Sequence, residues 1–390
     1  MFLNKPVKIG VCPIGKFAFS HEDAILQKNK LFKKMDELKI LRCDLDGVVE
    51  DGLIKNMEDV DTVVKYFRAN DIDALFVPHC NFGTEGVVGL VAKKLGLPTL
   101  LWAPRDDAPL ADGSRLRDSL CGCFASSKVL HTLEVNYDYI ENSRVDDPVF
   151  IKGILDFVAA VRVAKALKTA RIGQIGMRID FFWSTIVDEA DLLRKFGLEI
   201  FPFDMVEFIE RFKARKAKNE ALYRAELSDI KKWLITDNIP DEGLLLSLAQ
   251  KDELWDMAEK QKIDAFAIQS FTSLQDATGA GGGLGMAMAE ERIPIAAETD
   301  VHGAISSVIV EAAAGDGKPS FFPEFTVRHP ENDNAILLWH ASAPLSLKHP
   351  EIGKVRILPP WILKGLPASS LQFYLKEGEM TVCRFDGRGG

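Results

Sequence analysis

The 390-residue sequence has no excess of positive charge. Its 48 lysines and arginines are outnumbered by 57 aspartates and glutamates, giving a net charge of −9. Such a chain has no broad electrostatic attraction for nucleic acid or an anionic membrane. Its most basic stretch, residues 211–218 (RFKARKAK), reads as a solvated helix face. Cysteine is scarce, with six residues scattered along the chain. The pair Cys121-Gly-Cys123 lacks the second pair that a zinc knuckle needs. A chain of this length needs no disulfide staples, so reduced thiols in a cytoplasmic protein are expected. Long hydrophobic runs are also missing. Residues 151–163 are interrupted by Lys152, Asp156 and Arg162, short of the ~20 apolar residues that span a bilayer. The opening MFLNKPVKIGVCP enters a strand-like run with no apolar signal region. With 47% hydrophobic and 27% charged residues the composition is that of a globular protein, which excludes disordered and fibrous classes.

Nucleotide-binding signatures are absent too. The cluster GAGGGLG at residues 279–285 has Gly279 and Gly281 but Leu284 where the dinucleotide fingerprint requires glycine. It also follows a polar stretch rather than a strand, so a mobile turn before a helix is expected. No Walker loop, Gly-x-Ser-x-Gly elbow or His-Glu-x-x-His motif occurs.

What is present is alternation. Short apolar runs at 7–11, 74–77 and 98–102 alternate with helical periodicity at 22–38, 59–69 and 87–95. Thr84 is the candidate N-cap of the third helix. A long helix over 147–170 precedes a second series: strands at 172–176, 198–203, 265–269 and 293–297, and helices at 188–196, 205–218, 241–261 and 281–291. A last helix, capped by Asp300, runs to Ala314. Beyond residue 315 helical periodicity fades, and runs at 335–339, 355–358, 371–375 and 380–385 read as antiparallel strands. The expected fold is α/β: two doubly wound domains with parallel sheets, residues 1–168 and 169–330, then a partial antiparallel β-rich domain at 331–390. The strand at 380–385 is followed by the turn signal Asp386-Gly387 without a returning strand, so a truncated C-terminal end is expected.

Three residues concentrate the candidate chemistry. Glu298 follows an apolar strand and precedes a helix, and the carboxyl ends of strands are where open α/β sheets bind ligands. Glu324 lies within Ser320-Phe-Phe-Pro-Glu-Phe325, and His340 ends the apolar run AILLW. Each alone has a bland reading, as a solvated carboxylate or a hydrogen-bonded histidine. Together, mixed oxygen and nitrogen donors suit Mn²⁺, Mg²⁺ or Co²⁺. Their spacing exceeds one helical face, so the fold must bring them together. Phe321, Phe322 and Phe325 either keep such a site dry or are plain core.

The segments AAETDVHGAISS (from Ala296), PSFFPEF (from Pro319) and LLWHASAPLSL (from Leu337) resemble the L-fucose/L-arabinose isomerase superfamily. So do Asn81-Phe82-Gly83-Thr84-Glu85, Arg117-Asp118-Ser119-Leu120-Cys121-Gly122 and Phe196-Gly197-Leu198-Glu199-Ile200. The resemblance implies a metal-dependent aldose–ketose isomerase acting on a free pentose or 6-deoxyhexose through an enediol. It implies a homo-oligomer, trimer or hexamer, whose active sites form between subunits. Glu298 and Glu324 match the two acidic residues that bind Mn²⁺ and carry protons; His340 matches a histidine ligand. The arabinose isomerase branch has a further histidine ligand beyond the position of Gly390. Fucose isomerases carry aspartate at the position of Glu324. Secondary candidates are Gln269, for a sugar hydroxyl, His302, beside the metal, and Trp102 with Arg105, for a neighbouring subunit's sugar. A non-catalytic sugar-binding protein on the same scaffold and a metal-dependent enzyme on a modified sugar, such as an epimerase, remain alternatives.

Overall fold

The computed structural model describes residues 6–236, 239–270, 273–278, 283–358 and 370–387. The chain forms two compact units that divide between Lys165 and Ala166.

In the first unit β1 (Ile9–Val11), β2 (Arg42–Cys43), β3 (Ala74–Pro78), β4 (Thr99–Pro104) and β5 (Tyr137–Ser143) form a parallel sheet in the order β2-β1-β3-β4-β5. β3 and β4 are buried along their whole length, so successive side chains feed two different cores. Leu75, Val77 and Leu101 meet the helices Val60–Ala69 and Glu85–Leu95 on one face. Phe76, Leu100 and Trp102 meet His21–Glu37 and Pro148–Lys168 on the other. Thr84 occupies the N-cap position of Glu85–Leu95, but its hydroxyl donates to the Gly15 carbonyl at 3.1 Å instead of capping.

The helix Ser119–Thr132 has no periodic signal, because serine, glycine and cysteine dominate it. Gly122 is demanded by packing: a Cβ there would sit 1.6 Å from the Phe82 carbonyl oxygen. Cys121 is exposed and Cys123 half-buried. Two residues apart on a helix, they point to different faces and form no ligand pair.

The second unit is built on a four-stranded parallel sheet. Its chain order is β6 (Arg171–Ile175), β7 (Glu199–Phe203), β8 (Leu234–Ile235), β9 (Ala265–Ile268) and β10 (Ile295–Ala296), with sheet order β10-β9-β6-β7. Then follow an antiparallel hairpin, β11 (Glu324–Arg328) with β12 (Ile336–Trp339), and the strands β13 (Val355–Leu358) and β14 (Ser370–Gln372). β8 leaves the main sheet and pairs parallel with β13. Val355, Ile357 and Leu371 share a core with Leu234 and the helices Met205–Lys218 and Asp241–Gln261. The segment expected to start a separate β-rich domain therefore packs within the second unit. The glycine cluster is described only from the helix Gly283–Ala289 onward; residues 279–282 lie outside the described residues.

One expected strand is absent. Residues 380–385 alternate in sequence but have no partner strand among the described residues, so no ladder forms there. They run as irregular chain whose end is anchored by Arg384 and Phe385.

Candidate metal centre

β10 ends at Ala296, and the chain turns sharply before the helix Val301–Ala314. Glu298 and Thr299 make that turn at φ 61° and 57°, in the left-handed region. Non-glycine residues held there cost about 1–3 kcal/mol each and persist where the surroundings over-determine them. Several bonds do so here. The Glu298 N–H donates to the Ser270 hydroxyl at 3.1 Å, and the Thr299 N–H to the Ile268 carbonyl at 3.0 Å. The Thr299 hydroxyl donates to the Met177 carbonyl at 3.2 Å. Asp300 caps the helix as expected, accepting from the Gly303 N–H at 2.9 Å.

Glu324 and His340 come from the open end of the hairpin. Glu324, the first residue of β11, lies opposite Trp339, the last of β12, and His340 follows. The approach to Glu324 is tied to the same helix. Glu311 accepts from the Ser320 N–H at 2.8 Å and the Ser320 hydroxyl at 2.9 Å. Phe322 then lies over Gly303, where a Cβ would stand 2.3 Å from its ring. Its ring centroid is 5.2 Å from that of His340. A helix glycine thus admits the phenylalanine that backs the histidine.

The result is convergence: one donor atom each from Glu298, Glu324 and His340, all within 4.8 Å of one another. Burial is the main force raising the Glu298 pKa to about 7, with the charges of Glu324 and Asp300 adding to it. Burial lowers His340 to about 4, against a smaller opposing pull from Asp300. The imidazole is therefore neutral at neutral pH and keeps a lone pair to offer. Two carboxylates that repel each other beside a neutral imidazole form a donor set that a divalent cation fits.

The other candidates are placed differently. Gln269 ends β9 on the same sheet edge, and its side-chain oxygen lies over Gly176, where a Cβ would come within 2.8 Å of it. His302 packs its ring against Phe385 and is outside the converging triad; burial is the main force lowering its pKa. Trp102 is 2% exposed in a core of the first unit. Its indole N–H donates to the Ser143 hydroxyl at 3.2 Å and its ring packs on Phe150, so it presents no face to a sugar. Arg105, three residues further on, is exposed. Sequence reasoning passed over the loop after β6. There Phe181 and Trp183 are 64% and 76% exposed, and Met177 bonds the Glu298–Thr299 turn through Thr299. The run Phe181-Phe182-Trp183, apolar yet following a strand end, was the available signal.

Residues 10–168 match the family described as fucose/sulfoquinovose isomerase, N-terminal domain. Over this stretch the chain is similar to that family. Sulfoquinovose isomerases of Priestia aryabhattai and Priestia megaterium are each 23% identical to it over 376 residues, covering 95% of this chain and 80% of theirs. The sulfoquinovose isomerase of Alkalicoccus urumqiensis is 23% identical over 314 residues, 80% of this chain and 68% of its own. Among the described residues no helix is long and apolar enough to cross a membrane.

Proposed function

We propose that this protein is an aldose–ketose isomerase acting on a free sugar, with Glu298, Glu324 and His340 holding a divalent cation. Mn²⁺ is the first candidate, with Mg²⁺ and Co²⁺ behind it. The observation that carries the reading is the convergence of those three donors at the carboxyl edge of a parallel sheet, in a chain that aligns along 95% of its length with isomerases. A divalent cation bound there supplies Lewis-acid stabilisation of the negative charge that develops on the sugar oxygens.

The chain's own residues carry the protons. Aldose and ketose differ by one hydrogen moved from C2 to C1 and one from O2 to O1. One group of the pair, ionised, takes the C2 proton, and the other, protonated, gives a proton to C1; the O2 proton passes to O1, and proton exchange with solvent returns both groups to their starting states. A placed general base contributes ~10²–10⁴-fold to such a step. Without a cation, burial and the Glu324 charge raise the Glu298 pKa to about 7; a bound cation would offset that repulsion and favour the carboxylate that takes a proton. Phe322, set against His340, narrows access of water on that side. Within this reading the enzyme is a cytoplasmic homo-oligomer. Its substrate is a pentose, a 6-deoxyhexose or, from the names of its relatives, the sulfonated sugar sulfoquinovose.

The test is ketose formation and solvent-deuterium uptake with this panel of aldoses, with and without Mn²⁺. Mn²⁺-dependent ketose that vanishes in Glu324→Gln supports the isomerase. Deuterium uptake without ketose points to an epimerase. Sugar binding that tolerates Glu298→Gln and ignores Mn²⁺ points to a binding protein.

A further inference from the structure

We infer that Arg384 is a positioning residue for this centre: its guanidinium clamps Asp300 and so fixes the left-handed turn that aims Glu298 at Glu324 and His340. Asp300 is 6% exposed and lies two residues beyond Glu298. Its Oδ1 accepts from the Gly303 N–H at 2.9 Å and from Arg384 Nη2 at 3.0 Å, while Oδ2 accepts from Arg384 Nη1. Forked, charge-assisted pairs of this kind fix geometry as well as charge. The next residue adds a second grip. The Phe385 N–H donates to the Ser306 hydroxyl at 2.9 Å, and its ring packs on Phe196 and His302 at 5.4 and 5.9 Å. Two consecutive residues of an irregular segment therefore seize the first turns of the helix that follows Glu298.

The turn needs such a hold. Two successive non-glycine residues at positive φ relax toward ordinary backbone when their restraints loosen. The upstream restraints are the bonds to Ser270, Ile268 and Met177; the downstream one is Asp300. Without Arg384, Asp300 becomes a buried carboxylate with no counter-ion, which is strongly unfavourable. It must then rotate toward solvent or turn back upon the segment 298–299. Each outcome moves the turn. Groups that support metal ligands in this way typically contribute ~10–100-fold in metal affinity or activity.

The metal readout rests on the proposed function; a second readout does not. The experiment compares the full chain with Arg384→Met, Arg384→Lys and Asp300→Asn. Asparagine keeps the helix cap while removing the charge pair, so it serves if Arg384→Met fails to fold. Amide hydrogen exchange across residues 296–306 is measured without metal, and Mn²⁺ affinity by calorimetry. Expected are exchange about tenfold or more faster in that segment, unchanged exchange in β3, and Mn²⁺ affinity lower by ~10–100-fold. Arg384→Lys should restore part of both, and the double variant Arg384→Met/Asp300→Asn should be no worse than either single change. Exchange and Mn²⁺ affinity both within about threefold of the unchanged chain would overturn the clamp. Failure of the parent chain to bind Mn²⁺, or equal binding by Glu298→Gln, would sink the metal reading, and the exchange data would still decide the clamp.

Discussion

Both units carry a parallel sheet, yet the carboxyl edges of the two sheets are chemically opposite. In the first unit that edge is paired. Arg117, buried at the end of the loop after β4, meets Asp23, Asp106 and Asp107. Lys16 meets Glu85, and His79, held neutral by burial, bonds Ser126 at 2.8 Å. Cations there face anions. In the second unit Glu298 faces Glu324, on a turn of strained backbone, beside a loop that exposes Phe181 and Trp183. The same architecture gives one edge whose charges pair with each other and one where two carboxylates repel each other beside a neutral imidazole. Chemistry resides in the groups placed on the edge, not in the fold that supplies it.

The comparison can be broken in four ways, from the largest effect to the smallest. Glu324→Gln should reduce Mn²⁺-dependent ketose formation by ~10³-fold or more, read from initial rates, because it removes a proton carrier and a ligand together. Arg117→Met should act oppositely, destabilising the first unit by about 1–3 kcal/mol, since it removes the partner of the mostly enclosed Asp23 carboxylate. Chemical denaturation followed by exchange in β3 and β4 would show this, and an undisturbed first unit would dissolve the contrast.

The third prediction concerns pH. The folded pKa of Glu298, about 7, lies above the ordinary glutamate value of 4.5. The fold therefore favours its protonated form, and the associated stability is present below pH 4.5 and lost as pH rises through 7. Metal-free Glu298→Gln should be more stable than the parent at pH 8, by about 2 kcal/mol once solvent screening is allowed for, and equal to it at pH 4. Melting curves at both pH values, without and with Mn²⁺, check this; added Mn²⁺ should reverse the order at pH 8. The smallest effect is expected at Gly303. Alanine there displaces Phe322 from beneath His340, costing about 1–3 kcal/mol of stability and weakening Mn²⁺ binding less than any change of ligand. Calorimetry on Gly303→Ala reads both.

Much of the scaffold was legible because its signals are local. The helices Met205–Lys218 and Asp241–Gln261 are visible in local composition, and Asp300 announces the helix after it. The helix Ser119–Thr132 was not legible, since its small residues answer to the close approach of Phe82. Residues 380–385 misled for the reverse reason: alternation makes a strand only where a neighbour offers a ladder. The site was half legible. Glu298 stands at a strand end that any parallel-sheet reading marks. Glu324 and His340 gave only a weak signal by themselves and were raised by the resemblance of PSFFPEF and LLWHASAPLSL to a known family; the hairpin that joins them depends on β11, whose Glu-Phe-Thr-Val-Arg carries little pattern and is exposed throughout. Arg384 could not be found at all, because its partner is 84 residues away in the chain.

By itself the sequence determined the inventory: an acidic α/β chain, the order of strands and helices, the capped helix at Asp300, and two glutamates and a histidine available as ligands. Those properties follow from local preference and from side-chain chemistry. Only the tertiary structure decided that the three donors meet within 4.8 Å, that Glu298 sits on a left-handed turn, and that its proton is held near neutral pH. Proximity between distant residues, desolvation and like-charge repulsion are properties of packing, and no single stretch of chain contains them.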